Sequence, residues 1–193
     1  MGDLVPILVA TALVNNVVLI RALGVCPMFG ASLRIESAIA IALATGFVLT
    51  LATMLAWLLE TLLLAPLGLL HLRILAFILI IAATVQLTEL MVRRRQPLLY
   101  EVLGLQLPLI AANCAVLGVT LLSVAQAHSF VDSALYGLGT ALGFAIALVL
   151  FAGLRERIAA SDVPAPFRGP AILLVTAALM ALAFMGFAGL ADG

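Results

Sequence analysis

Long apolar runs constrain this chain more than any other feature. Six such runs of 19 to 23 residues are joined by short polar connections: residues 4–23, 38–59, 74–92, 102–124, 133–154 and 170–191. A helix needs about 20 apolar residues to cross the hydrocarbon core of a bilayer. Strands of a membrane barrel would alternate apolar with polar residues, and these runs do not alternate. The sequence therefore predicts an all-α integral membrane protein with six transmembrane helices.

The composition supports the same conclusion. Hydrophobic residues make up 66% of the chain and charged residues only 9%, whereas a soluble domain carries roughly 25% charged residues. A chain of 193 residues cannot cover this much apolar surface by itself, so lipid must cover the rest. The first run has no basic residue before it and is too long for a cleaved signal peptide, so we expect it to remain as a span. We expect no nucleic-acid partner.

The arginines are distributed unevenly between the connections. All nine basic residues are arginine, and with six spans eight of them fall on one side: Arg21, Arg34, Arg93, Arg94, Arg95, Arg155, Arg157 and Arg168. Only Arg73 falls on the other side. Cytoplasmic connections are enriched in basic residues. We therefore expect the eight arginines to face the cytoplasm and both termini to lie outside it.

The six spans divide into two halves of three, residues 1–95 and 98–193, within a single transmembrane domain. Because three is odd, two copies of a three-span unit must have opposite orientations, as in many membrane folds with a site near the midplane. Sequence symmetry is weak, since offsets of 98, 97 and 88 positions compete. The offset of 98 pairs Asn15-Asn16 with Asn113-Cys114, and the offset of 97 pairs Gly46-Phe47 with Gly143-Phe144. The offset of 88 pairs Cys26 and Gly30 with Cys114 and Gly118. The predicted pair of inverted three-helix repeats therefore rests on the span count.

The first and fourth spans carry signs of interruption. Asn15 and Asn16 lie in the middle of the first span, and Gly24 follows its end. In the fourth, Pro108 removes a backbone donor and Asn113 follows. Polar residues at membrane depth face protein or a cavity. They could form interhelical hydrogen bonds or bind a transported substrate or ion, and the sequence leaves both alternatives open.

The chain has only two cysteines, Cys26 and Cys114, each beside a predicted interruption. They could be small buried hydrophobes, a disulfide, which a cytoplasmic or mid-membrane position disfavours, or half of a metal site. An iron–sulfur cluster takes four thiolates, so two would have to come from another subunit or a second copy. Each cysteine is followed by a glycine four residues on, Gly30 or Gly118, and free backbone N–H groups at the interruptions could then hydrogen-bond to the sulfurs.

One acidic residue, Glu89, falls within the third span, four residues before Arg93. The simple interpretation is an ion pair on one helix face. The alternative is a carboxylate that lines an ion path, because acids inside membranes are often functional.

Four long segments resemble the Rnf/Nqr family of membrane subunits, and most closely the A subunit of the Rnf ion-translocating ferredoxin:NAD oxidoreductase. They are LVNNVVLIRALGVCPMFG (13–30), LPLIAANCAVLGV (107–119), SALYG (133–137) and RERIAASDVPAPFRG (155–169). A related component of the Na⁺-translocating NADH:quinone reductase is similar around residues 107–115. The proline after Cys26 and the VPAPFRG segment look more like Rnf.

The resemblance implies a role in electron transport within the bacterial inner membrane, so the outer side expected for both termini from the arginines would be the periplasm. It implies one intramembrane [2Fe-2S] cluster, held jointly with a homologous E-type subunit of inverted topology, to which this chain would contribute Cys26 and Cys114. Electron relay would be coupled to Na⁺ or H⁺ transport. The chain would then be one subunit of a translocase, among other Rnf subunits, without a complete active site. A transporter-like or purely structural subunit is the alternative.

The resemblance raises a geometric difficulty. Cys114 lies mid-span, but Cys26 follows what would be a full-length helix of about 30 Å and so would lie near the cytoplasmic surface. We therefore predict that the first span is a shorter half-helix, or that residues 23–30 re-enter the membrane. Non-helical backbone at depth needs surrounding protein, so this stretch should be buried against the partner subunit.

Overall fold

All regular structure in the described residues is helical. The computed structural model describes residues 16–26, 29, 35–68, 70–95, 113–126, 129–162, 164 and 167–188. The main helices are α1 (Val17–Ile20), α2 (Ile35–Leu59), α3 (Arg73–Arg95), α4 (Cys114–Gln126), α5 (Phe130–Ala159) and α6 (Pro170–Ala188). A π-helical segment, Glu60–Leu64, and a further α-helical turn, Ala65–Leu67, extend α2.

Three helices are long and apolar enough to cross a membrane. They cover Ile35–Leu64, Arg73–Arg94 and Phe130–Ala159 and confirm the predicted second, third and fifth spans. The shorter apolar helix α6 lies within the predicted sixth span, and α4 overlaps the predicted fourth span and ends two residues beyond it. The most apolar stretch of the third span is only 28% buried within the chain. Most of α3 is therefore left for lipid or a partner to cover.

Helices α2 and α5 form the centre of the bundle and approach closely through small residues. A Cβ placed on Gly46 would lie 3.3 Å from the Cβ of Ala141. One placed on Gly137 would lie 3.2 Å from the Cα of Thr50 and overlap the Oγ1 of Thr53. Small residues let two membrane helices pack backbone to backbone, which explains why this crossing has no room for a larger side chain.

Hydroxyl groups join three helices near one end of this crossing. The hydroxyls of Ser123 on α4 and Ser133 on α5 lie 2.8 Å apart. The Ser133 hydroxyl also donates to the backbone oxygen of Thr53 on α2, at 3.0 Å. Because the bilayer core has no water to pair with buried polar groups, this network both satisfies the serines and fixes α4 against α2 and α5.

The π-helical segment places a buried acid where α2 turns toward α3. The side chain of Arg73 forms a bidentate ion pair with Glu60. Glu60 is 8% exposed, and a buried carboxylate needs such a partner. The pair gives a reason for the one arginine that was predicted to lie apart from the other eight.

The first span departs from a continuous helix over residues 4–23. Helix α1 begins after Asn16 and has only four residues. The backbone then turns through left-handed conformations at Ala22 (φ 51°) and Gly24 (φ 85°). The predicted break in the first span is present, whereas Asn15 and Pro108 lie outside the described residues.

Candidate metal centre

Cys114 is the first residue of α4, and an asparagine caps this helix. The Asn113 side-chain oxygen accepts a hydrogen bond from the backbone N–H of Ala115 at 3.0 Å. Such a cap satisfies one of the free N–H groups at a helix start. Asn113 is 3% exposed, while Cys114 is exposed at the surface of the chain. The cap therefore orients a buried amide inward and the neighbouring thiol outward.

A matching cap begins α1. The side-chain oxygen of Asn16 accepts from the N–H of Val18 at 3.1 Å. The amide nitrogen of Asn16 donates to the backbone oxygen of Gly143 at 2.9 Å. Asn16 thus ties α1 to α5 through an interhelical hydrogen bond, which was the simple interpretation of the mid-span asparagines.

Gly24 brings the segment that carries Cys26 into contact with Cys114. Its backbone N–H donates to the Cys114 Sγ at 3.2 Å. A Cβ on Gly24 would lie 2.8 Å from the Cβ of Ala115 and 3.2 Å from a ring carbon of Phe144. The backbone of Gly24 can reach the sulfur only because this residue has no side chain.

Gly118 provides space for the same turn. A Cβ on Gly118 would lie 2.9 Å from the Cδ1 of Leu23. Leu23 also packs beside Leu122 and Tyr136 in a small cluster around Val119. The observed role of Gly118 is therefore to let the turn at residues 21–24 lie against α4.

Cys26 lies two residues beyond Gly24, and its thiol is exposed. The segment is anchored again at Phe29, whose backbone oxygen accepts from Arg155 Nη1 at 3.1 Å. The Phe29 ring packs edge to face on Phe151, with centroids 5.9 Å apart. Cys26 therefore lies in a stretch that contacts α4 at one end and the last turns of α5 at the other.

The depth of the site follows from its contacts along α5. Gly143, which binds Asn16, is close to the midpoint of the 30-residue helix α5. Arg155, which binds Phe29, lies twelve residues further on, about 18 Å along the axis. Gly24, where a Cβ would lie 3.2 Å from a ring carbon of Phe144, therefore lies beside the middle of α5 rather than at its Arg155 end. The described part of the first span, from Asn16 onward, is not a full-length helix.

Arg21 directly follows α1 and is exposed. The neighbouring Leu23 packs in the same small cluster as Tyr136. The grouping of Arg21 with the other seven arginines on one side of the membrane stays a prediction.

The two thiols are free and chemically suited to a soft metal. Both thiols lie at the surface of the described part of the chain, so neither belongs to its own hydrophobic core. Within the described residues no group of three or more His, Cys, Asp or Glu could hold a metal ion. An iron–sulfur cluster takes four thiolates, so the two cysteines of this chain could supply at most half of its ligands.

The remaining candidate, Glu89, belongs to a different helix from the cysteines. It is partly buried near the Arg93–Arg95 end of α3. Sequence reasoning missed Glu60, although an acid that ends an apolar run 13 residues before a lone arginine was a usable signal. It also missed the Arg155 contact with Phe29, for which no local signal exists because 126 positions separate the two residues.

Comparison with known proteins decides the family. Residues 4–191 match the family described as "Rnf-Nqr subunit, membrane protein". This chain belongs to the Rnf-Nqr family. It is 58% identical over 190 residues to the A-type subunit of the ion-translocating oxidoreductase complex from Thioalkalivibrio sulfidiphilus, which covers 98% of this chain and 99% of that protein. The proteins of the same description from Yersinia pestis and Escherichia coli O139:H28 are each 57% identical, over 98% of both chains. The resemblance predicted from the four segments is confirmed.

Proposed function

We propose that this Rnf-Nqr family member is the A-type membrane subunit of an ion-translocating oxidoreductase complex. Relatives at 57–58% identity that carry this description support the proposal, because they align with the chain over nearly its full length. The apolar helices fit a protein embedded in lipid and in contact with other subunits. The chain would carry electrons for the complex rather than bind its nucleotide substrate.

Within that complex, Cys26 and Cys114 would supply two of four thiolates to a [2Fe-2S] cluster shared with a homologous E-type partner. The observation that carries this proposal is the hydrogen bond from Gly24 N–H to Cys114 Sγ, because it joins the two cysteine segments while both thiols stay exposed. The bound cluster would supply one-electron transfer across the membrane. The chain itself would position the sulfurs and exclude water from one side.

The structure gives less support to a transporter that uses the asparagines as ligands. Both polar groups of the Asn16 side chain are engaged, one with Val18 and one with Gly143. The oxygen of Asn113 is engaged with Ala115. Cation ligands would have to be oxygen atoms, and both of these oxygens already serve as helix caps.

The complete architecture we propose has six spans in two inverted repeats. Corresponding helices begin at related positions: Val17 and Cys114, Ile35 and Phe130, Arg73 and Pro170. Two of these three pairs are separated by 97 positions and the third by 95. The matching asparagine caps of α1 and α4 favour the 97-residue offset over the two competing ones. The arginine bias favours both termini on the periplasmic side of the inner membrane.

Coupling to Na⁺ or H⁺ would involve Glu89 if this chain lines the ion path. The conservative variant Glu89→Gln removes the negative charge and preserves the size of the side chain. Ion transport should then fall while electron transfer continues, measured together in proteoliposomes. If both activities stay normal, Glu89 has no part in the path and serves only the end of α3.

Iron content tests the cluster proposal. The chain expressed alone should hold little iron, because it offers two thiolates and a cluster needs four. Co-expressed with the E-type partner, it should give about two irons per heterodimer and an electron paramagnetic resonance signal in the reduced state. Cys26→Ser and Cys114→Ser should each remove most of that signal, and the double variant should be no worse, since the ligands act as a unit.

A full cluster signal in Cys114→Ser, or a complete cluster in the isolated chain, would overturn the shared site. Equal membrane insertion of the variants controls for misfolding, since apolar burial in lipid, not the cluster, drives insertion. A wild-type heterodimer without iron would make a purely structural membrane component the better proposal.

A further inference from the structure

One backbone contact at the site has a role that the cysteines alone do not explain. Gly24 and Cys114 are 90 positions apart, yet the N–H of one donates to the sulfur of the other at 3.2 Å. Most buried backbone donors in proteins pair with oxygen. A backbone donor directed at a free thiol instead suggests that the sulfur, not the glycine, is what this turn is built to serve.

We propose that Gly24 is a positioning residue for the cluster: its backbone N–H orients the Cys114 sulfur and stabilises the reduced cluster by hydrogen bonding to that ligand. The proposal rests on the proposed function. Hydrogen bonds to sulfur ligands are one of the factors that set cluster potentials. Reduction adds negative charge to the cluster, so a hydrogen-bond donor favours the reduced form and raises the potential.

Only glycine fits this position, for two independent reasons. The φ angle of Gly24 is +85°, a conformation that residues with a side chain rarely adopt. A Cβ would also be crowded from three sides, 2.8 Å from the Cβ of Ala115, 3.2 Å from a ring carbon of Phe144 and 3.3 Å from the Asn113 side-chain oxygen. A side chain here must move the N–H away from the sulfur or displace the start of α4.

The chain supplies controls that separate these two effects. Gly169 has a similar φ of +93°, but a Cβ there would have no atom of the described residues within 4 Å. Gly169→Ala therefore introduces the backbone strain without the crowding. Gly153 has neither constraint, and Gly153→Ala reports the effect of an alanine alone.

The first experiment needs no cluster. Amide hydrogen exchange is measured at Gly24 in the full chain, in lipid nanodiscs and without its partner. Exchange should be about tenfold faster in Cys114→Ala, because the variant loses the acceptor of one hydrogen bond, and unchanged in the matched control Cys26→Ala. An unchanged rate in Cys114→Ala, or equal acceleration in Cys26→Ala, would overturn the proposal whatever the iron content.

The second experiment uses the heterodimer with its cluster. In Gly24→Ala the reduction equilibrium of the cluster should shift about tenfold toward the oxidised form, which lowers its reduction potential by about 59 mV for one electron. Alternatively, the variant should lose most of its iron. Gly169→Ala and Gly153→Ala should keep the wild-type iron content and potential. An unchanged iron content and potential in Gly24→Ala would overturn the proposal.

A compensating variant covers the case in which Gly24→Ala does not insert. Gly24→Ala combined with Ala115→Gly removes the closest contact and should restore part of the iron, with a potential still below that of the wild type. A fully wild-type potential in that double variant would contradict the proposed role of the N–H. If the wild-type heterodimer holds no iron, the proposed function fails, while the exchange experiment still decides whether the hydrogen bond exists.

Discussion

The crossing of α2 and α5 should be highly sensitive to one methyl group at Gly137. A Cβ there would overlap the Oγ1 of Thr53 and lie 3.2 Å from the Cα of Thr50. The Thr50 contact is with backbone, which cannot move aside unless the whole helix shifts. Overpacking of this kind costs about 1–3 kcal/mol. Gly137→Ala should therefore force the two central helices apart and destabilise the fold.

Gly153→Ala is the matched control, since Gly153 lies on the same helix and a Cβ there would contact nothing within 4 Å. Both substitutions gain about 0.5–1 kcal/mol of helix propensity, so the difference between them isolates the crowding. We expect Gly137→Ala to be less stable than Gly153→Ala by about 1–3 kcal/mol. Adding Thr53→Ala to Gly137→Ala should recover part of the loss, because it removes the overlapping oxygen and leaves the Thr50 contact.

The chain carries its own probe for this measurement. Trp57 is the only tryptophan, and it packs on Phe130 across the same pair of helices with ring centroids 5.8 Å apart. Its fluorescence should follow the separation of α2 and α5 as a denaturing detergent is titrated into mixed micelles. If Gly137→Ala and Gly153→Ala unfold at the same detergent fraction, the helices are not in backbone contact and the argument fails.

Three further predictions concern polar groups within the membrane and the orientation of the chain. Asn16→Ser should destabilise the fold by about 1 kcal/mol more than Asn113→Ser in the same titration. The Asn16 amide donates to a backbone oxygen, whereas the Asn113 amide has no hydrogen-bond partner among the residues that the structure describes; equal losses would contradict this. Glu60→Gln should lower the free energy of unfolding by about 1–3 kcal/mol, less than for a fully buried pair because the Arg73 side chain is 32% exposed. The double variant with Arg73→Gln should recover part of this loss. No recovery would mean that the loss does not come from leaving Arg73 unpaired. Alkaline phosphatase fused after Gly193 should be active and green fluorescent protein dark, and the reverse result would invert the topology.

Apolar run length predicted the long spans well but not their ends. The predicted span 133–154 corresponds to Phe130–Ala159, and the predicted span 38–59 to Ile35–Leu59 and its extension to Leu64. A hydropathy pattern marks where the hydrocarbon ends. Backbone hydrogen bonding carries the helix further, through charged residues such as Arg155, until a cap or a turn stops it. The extra residues matter here, because Arg155 on that extension holds the Cys26 segment through Phe29.

The first span shows a feature that a hydropathy pattern cannot predict. An apolar run has the same composition whether it crosses the membrane as one helix or bends at mid-depth. The bend depends on the Asn16 cap and on left-handed backbone at Ala22 and Gly24. Asparagine in the middle of the run was the available signal, and it indicated the break correctly. The direction of the chain after the break depends on tertiary contacts, such as that of Gly24 with Cys114, which a hydropathy pattern does not contain.

The two asparagine caps also show why similar halves need not do the same work. Under the proposed 97-residue repeat, the acceptor equivalent to Gly143 is the backbone oxygen of Gly46. In α2 that oxygen already accepts from the hydroxyl of Thr50 at 2.9 Å, whereas the matching position in α5 is an alanine with no hydroxyl to offer. The amide of Asn16 docks on the opposite half, while the amide of Asn113 has no partner among the described residues. Under the proposed repeat, the Thr50 hydroxyl therefore distinguishes the two halves at the very acceptor that fastens Asn16.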